Sequence, residues 1–222
     1  MVVNDRYGFV FVHVPKVAGS SISDALRALP GDRRDLQKSG TKHETAAEFS
    51  RNWRRRGALL KRRVSSLETF ALFGFVRNPW DRMASAYHYL VEKRRTRADI
   101  PRLGGFEEFV QRAYNGDTWL YGLALMRPQV DFFAGANGVF REARIGHYER
   151  LADDLEYFAN RLGFQVALAH RNRSSNSGHD YLSLYTDQLV DQVAELFRKD
   201  VATFGYAFGV SGPPITEPDR LW

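Results

Sequence analysis

Two stretches of the chain combine residue types that hold and transfer charged groups, and each follows an apolar run. The first reads His13-Val14-Pro15-Lys16-Val17-Ala18-Gly19-Ser20-Ser21. Backbone N–H groups at the end of such a turn and in the first turn of a following helix converge on one spot, where the helix dipole favours negative charge. Gly19 permits close approach of a ligand. Lys16, at the start of the loop, can reach a bridging oxygen between a phosphate and the group it gives up, where charge develops as the bond breaks. That is oxyanion binding suited to group transfer without a metal. The pattern is not a Walker A loop, in which Lys directly precedes the hydroxyl residue, because Lys16 lies four positions before Ser20. A magnesium-dependent NTPase is therefore disfavoured. The competing structural reading makes Lys16 a surface lysine and Gly19-Ser20-Ser21 a helix cap.

The second stretch is Arg77-Asn78-Pro79-Trp80-Asp81-Arg82-Met83-Ala84-Ser85-Ala86-Tyr87. Ser85 lies eight residues beyond Arg77, about two helical turns, so one phosphate can meet both the guanidinium and the hydroxyl if the chain bends at Pro79. Arg82 reads as structural, pairing with Asp81 or with a helix carboxylate, and Trp80 as a packing residue.

These residues need elements to position them. Gly8 to Val14 and Thr69 to Val76 are near-continuous apolar runs, rich in β-branched and aromatic residues, and read as buried strands. Each leads into a helix. The first is capped by the Ser20 or Ser21 hydroxyl, carries Ile22, Ala25, Leu26 and Leu29 inward and ends near Pro30-Gly31; the second opens at Asn78-Pro79. Strands apolar on both faces belong to parallel sheets covered by helices, with ligands at the carboxyl edge. The fold expected is α/β, a three-layer parallel β-sheet flanked by helices. Further helices are expected over Thr45–Arg63, Phe106–Tyr114 and Arg150–Leu162, the last capped by Gly163, and a long one from Thr186. Ala143–His147 reads as a third strand, and Asp99–Gly105 and Arg171–Gly178 as loops. One domain spanning 1–222 is expected, with an insertion near 97–135 that is mobile or faces the acceptor.

Composition narrows the classes. Cysteine is absent and the six His show no ligand spacing, so thiolate metal sites are excluded and a built-in metal is not expected. No stretch approaches a membrane helix, and the N-terminus lacks a signal-peptide pattern, which predicts a cytoplasmic, soluble chain. The formal charge of +6 is uneven: Arg27 to Arg63 holds twelve Lys/Arg against four Asp/Glu. That surplus could meet a nucleic acid or an anionic acceptor, or form a solvated helix face.

Taken together the two motifs resemble the PAPS-dependent sulfotransferases (PAPS is 3'-phosphoadenosine 5'-phosphosulfate), specifically the family 2, carbohydrate-type group with its HxPKxAGxS and RNPxxRxxSxY signatures and P-loop-like fold. Weaker likeness runs through Lys42–Ala46, His147-Tyr148-Glu149, His170–Ser174 and Asp200–Tyr206. The resemblance implies that Lys16 and the backbone of Val17, Ala18, Gly19, Ser20 and Ser21 hold the 5'-phosphosulfate. It implies that Arg77 and Ser85 hold the 3'-phosphate, and that 3',5'-ADP leaves as product. Val17 departs from the pattern, standing where many relatives carry a hydroxyl residue. An acceptor hydroxyl is a weak nucleophile and wants a general base near neutral pH. His43 is the candidate, in a loop before a helix and matching a His of this family, with Glu44 as the fallback; His13, flanked by core valines, reads as structural. The implied acceptor is a hydroxyl on a carbohydrate or glycoconjugate, and the Arg27–Arg63 segment offers a wall for an anionic glycan. Two other readings compete: a small-molecule kinase, which needs magnesium and a carboxylate ligand the sequence does not supply, and a nucleic-acid-binding module, whose arginines lack interleaved aromatics beyond Phe49 and Trp53. No nucleic-acid partner is expected.

Overall fold

The computed structural model describes residues 1–33, 43–59, 69–134, 143–166 and 181–210. In chain order these carry β1 (Val2–Asn4), β2 (Phe9–Val12), α1 (Gly19–Arg27), α2 (Ala46–Leu59), β3 (Ala71–Val76), α3 (Pro79–Arg94) and α4 (Phe106–Tyr114). Next come α5 (Thr118–Tyr121), α6 (Val130–Phe133), β4 (Ala143–His147), α7 (Leu151–Leu162), α8 (Asp187–Leu196) and α9 (Arg198–Phe204). The described residues fall into two compact units, the first drawn from 1–76 and 129–166, the second from 77–128 and 181–210.

The first unit is α/β, built on a sheet of order β1-β2-β3-β4. β2, β3 and β4 run parallel, with Phe11 opposite Phe73 and Phe75 opposite Gly146. β1 instead runs antiparallel to β2, so the sheet is mixed at this edge and not wholly parallel as expected. The cause is Asn4. Its buried Oδ1 accepts the N–H groups of Arg6 and Tyr7 at 3.0 and 3.1 Å, folding the chain straight back, while Nδ2 donates to the Pro30 carbonyl at 3.1 Å. Three strand residues are too few to show a periodicity in sequence.

Alternation along β2 and β3 sends Phe9, Phe11, Phe73 and Phe75 to one face, their rings 5.4–6.5 Å apart. α7 covers that face through Phe158, 5.1 Å from Phe73 and 5.7 Å from Phe75. On the other face a Cβ at Gly74 would stand 2.7 Å from Phe133 of α6, and α6 in turn packs on α2. Helices therefore lie on both faces, the three layers expected. Each of these buried phenylalanines stabilises the unit by about 1.5–3 kcal/mol. β4 has the expected bounds, and α7 ends on Gly163 at φ 76°, the expected left-handed cap.

In the second unit α3 begins as its sequence dictates, with the Asn78 side chain accepting from the Trp80 N–H at 3.1 Å and Pro79 in the first turn. Asn78 Nδ2 reaches the carbonyls of Ala207 and Val210 at 3.0 and 3.3 Å, tying this corner to the C-terminal segment. α4 keeps its expected bounds and packs on α8. The long helix expected from Thr186 is instead α8 and α9, broken at Phe197. Phe197 stays buried, and the Arg82 guanidinium stands 4.7 Å over its ring.

Gly146 leaves no room for a side chain between β4 and α7: a Cβ there would lie 2.5 Å from Phe75 Cε1 and 3.0 Å from Phe158 Cε2. Gly146→Ala should therefore cost about 1–3 kcal/mol in urea unfolding, since two interior rings must shift. An unchanged midpoint would show that the layer is loosely packed.

Candidate functional site

The corner between β2 and α1 has an unusual backbone. Lys16 (φ 70°) and Ala18 (φ 59°) both occupy the left-handed region, which costs a residue with a side chain about 1–2 kcal/mol. Left-handed residues on either side of Val17 make the kind of turn in which successive N–H groups can form an anion-receiving concavity. The Val17 side chain is wholly buried, so at this position a hydrocarbon serves the core and the turn offers its backbone. α1 starts at Gly19 with Ala18 as its cap residue, which gives no side-chain bond, and its first turn holds no acidic residue. The expectation of a Ser20 or Ser21 cap is thus corrected: both lie inside the first turn, Ser20 exposed and Ser21 half-buried. The positive end of the helix dipole therefore has no carboxylate from the helix's own first turn beside it.

Gly19 was expected to allow a ligand to approach, and the structure shows what already does. A Cβ on Gly19 would stand 2.4 Å from Cδ2 and 2.5 Å from Nε2 of His13. The His13 ring is buried, and its Nδ1 shares a hydrogen bond of 3.1 Å with Ser23 Oγ. Its backbone carbonyl accepts from Nδ1 of His43 at 3.0 Å, and the two rings meet edge to face at 4.8 Å. Because the carbonyl can only accept, Nδ1 of His43 carries a hydrogen, and in the neutral ring the lone pair sits on Nε2. The segment bearing His43 is anchored by a capping box on α2: Thr45 Oγ1 accepts from the Glu48 N–H at 3.1 Å and Glu48 Oε2 from the Thr45 N–H at 2.8 Å. Glu44, the fallback base, is buried and accepts from Asn52 Nδ2 at 2.8 Å.

Arg77 directly follows β3 and belongs to the second unit. Its Nε and Nη2 fork onto the two carboxylate oxygens of Asp81, both at 2.7 Å, in a nearly buried pair. Ser85, half-buried, lies one turn further along α3 on the side of Asp81. Asp81 is therefore Arg77's partner, not Arg82's. Arg82 is buried and donates to the carbonyls of Leu125 and Arg127 at 3.2 and 3.1 Å, with Asp200 at 3.8 Å, the helix carboxylate of the alternative expectation. Burial pulls its pKa down to about 10, Asp200 opposing and Arg77 adding to the fall, so it stays charged at neutral pH. Trp80 packs as expected, donating through Nε1 to the Val190 carbonyl at 2.9 Å. The hydroxyl of Tyr185 donates to the Trp80 carbonyl at 2.8 Å, and burial raises its pKa well above the ordinary phenol value.

At the carboxyl end of β4, Asp154 is a residue the sequence did not point to. Its Oδ2 accepts the His147 N–H at 2.6 Å, and Arg150 Nη2 lies 3.5 Å from its carboxylate. Burial would raise its pKa, but the hydrogen bonds from His147 and the charge of Arg150 outweigh burial and hold it below the ordinary 3.8. The i,i+4 spacing of Arg150 and Asp154 was the one readable signal. Of the basic segment, residues 34–42 and 60–68 lie outside the described residues, as do 167–180; Arg51 and Arg55 are exposed on α2. Among the described residues no three His, Asp or Glu side chains form a group able to hold a metal ion, and no helix is long and apolar enough to cross a membrane.

A depressed carboxylate pKa makes folding favour the ionised form, so this contribution is complete above the ordinary 3.8 and is lost as pH falls through the lower folded value. Stability of the wild type, followed by urea unfolding from about pH 5 to about pH 2, should fall more steeply than that of Asp154→Asn. Parallel curves would remove Asp154 from the acid response.

The profile of the sulfotransferase family matches residues 1–207. Carbohydrate sulfotransferase 12 of Xenopus laevis is 25% identical over an alignment of 251 residues that covers 93% of this chain and 60% of that protein. The chain thus spans about three fifths of the length of this curated relative. No solved structure matches. With 207 matched residues that include both strand-to-helix corners, the chain belongs to the sulfotransferase family.

Proposed function

We propose that the protein transfers a sulfuryl group from PAPS to a hydroxyl of a carbohydrate acceptor. The observation that carries this reading is the β2–α1 turn: two left-handed residues, a helix start with no side-chain cap, and Lys16 in the turn itself. That donor set suits a phosphosulfate, whose oxygens accept and never donate. Family membership supports the donor, and the relative's name, a carbohydrate sulfotransferase, supports the acceptor class. An anionic glycan is the acceptor that best complements the twelve Lys/Arg between Arg27 and Arg63.

In this proposal the loop amides of Val17 to Ser21 and the Lys16 ammonium hold the 5'-phosphosulfate, while Arg77 and Ser85 hold the 3'-phosphate. His43 takes the acceptor's proton on Nε2 as the hydroxyl oxygen bonds to sulfur. The bond between sulfur and the bridging oxygen breaks, its electron pair leaves with the phosphate of 3',5'-ADP, and Lys16 with the loop amides stabilises that charge. No covalent enzyme intermediate is needed. The Asp81 fork supports Arg77's role: it holds the planar guanidinium ready before the phosphate arrives, which lowers the ordering cost of binding.

Thermal shift with 3',5'-ADP, ADP and ATP tests the reading. Stabilisation should be greatest with 3',5'-ADP, and equal responses to all three would overturn it. Arg77→Ala should weaken 3',5'-ADP by roughly 10- to 100-fold, the worth of about 1.5–3 kcal/mol for a charged hydrogen bond, and 5'-AMP far less. An equal loss for both ligands would remove Arg77 from the 3'-phosphate. His43→Ala should lower kcat by about 10²-fold or more and leave 3',5'-ADP affinity nearly unchanged; full turnover would take the general base elsewhere.

A further inference from the structure

The sequence casts His13 as a core residue, yet the structure puts it between the two parts of the proposed chemistry. Its ring fills the space where a Cβ of residue 19 would be, against the first turn of α1. Ser23, on the next turn of the same helix, fixes that ring through the 3.1 Å bond to Nδ1. Its carbonyl holds the Nδ1 hydrogen of His43 at 3.0 Å, and its ring forms the edge-to-face wall for the His43 ring at 4.8 Å. One residue thus touches the anion turn with its side chain and the base with both side chain and backbone. All four residues, His13, Gly19, Ser23 and His43, lie within the first unit.

We infer that His13 is the positioning residue for His43: it fixes the base as the Nδ1–H tautomer, so that Nε2 accepts the acceptor's proton, and it locks that orientation to the anion turn through Gly19 and Ser23. A hydrogen bond to one ring nitrogen selects which nitrogen carries the lone pair. The wrong tautomer would present an N–H to the acceptor hydroxyl and could not take its proton. Locking the ring to the helix that forms the anion turn keeps base and donor site in one geometry, where a 1 Å misplacement costs about 10²-fold in rate. The catalytic half of this inference rests on the sulfotransfer reading; the tautomer half does not.

The tautomer is measured on the full chain without substrate, by 15N NMR of the labelled imidazoles above the pH at which His43 titrates. The wild type should show His43 with Nδ1 protonated and Nε2 bare, and Ser23→Ala, which removes the Ser23 bond to the His13 ring and leaves the His13 carbonyl in place, should keep that tautomer. A bare Nδ1 in the wild type, or a changed tautomer in Ser23→Ala, overturns the inference. Turnover supplies the second arm. His13→Ala should lower kcat by about 10-fold or more, and the same change made in a His43→Ala background should lower it no further, because His13 acts through His43. Additive losses would mean that His13 works independently of the base and would overturn the positioning role. If the wild type neither binds 3',5'-ADP nor turns over, the sulfotransfer reading fails while the NMR arm still decides whether His13 sets the tautomer. If His13→Ala does not fold, Ser23→Ala, alone and in the His43→Ala background, carries the turnover arm.

Discussion

Lys16 and Ala18 hold a left-handed backbone that would strain neither residue if it were glycine, and the rest of the first unit is arranged so that they keep it. Val17 between them is buried in the core, which pins the turn from below. Gly19 cannot carry a side chain because the His13 ring is already there, so α1 starts at a fixed distance from the end of β2. Strain of this kind persists only where the surroundings over-determine it. Here they do so with a buried valine, a packed imidazole and β2 paired parallel to β3.

The sheet explains why the strain can be borne. Phe9 and Phe11 pack on Phe73, Phe73 and Phe75 pack on Phe158, and Gly74 and Gly146 remain side-chain-free so that Phe133 and Phe75 can fill their places. A unit stabilised by several such rings tolerates a turn that is unfavourable by a few kcal/mol. The same sheet carries the second corner, since Arg77 follows β3 with no intervening residue. There the chemistry is held differently: Arg77 is forked by Asp81, and Arg82 is wholly internal, its two Nη groups donating to carbonyls, with Asp200 at 3.8 Å and the Phe197 ring against the guanidinium. Two arginines of one motif thus have separate duties, one at the candidate site and one in the core.

Much of this was legible. The apolar runs ending at Val14 and Val76 marked the strands, Asn78-Pro79 marked the start of α3, Gly163 its counterpart at the end of α7, and the order of Lys, Gly and Ser ruled out a Walker A loop. The less legible features share one property: they depend on particular side-chain contacts that hydrophobic period does not record. The strand β1 is too short to have a period, Phe197 at the break between α8 and α9 lies against the Arg82 guanidinium, and Glu44, just before α2, accepts from Asn52 within it.

By itself the sequence determined which residue types stand at the two strand-to-helix corners and which elements deliver them, because those depend on spacing along the chain and on hydrophobic period. Only the tertiary structure decided what each side chain faces. It gave Asp81 to Arg77 and Asp200 to Arg82, put His13 where a side chain on Gly19 would be, and set the proton of His43 on Nδ1. The reason is physical: a tautomer or an ion pair is selected by the partner within about 3 Å, and residues 13 and 43 come that close only when the sheet and α2 have assembled.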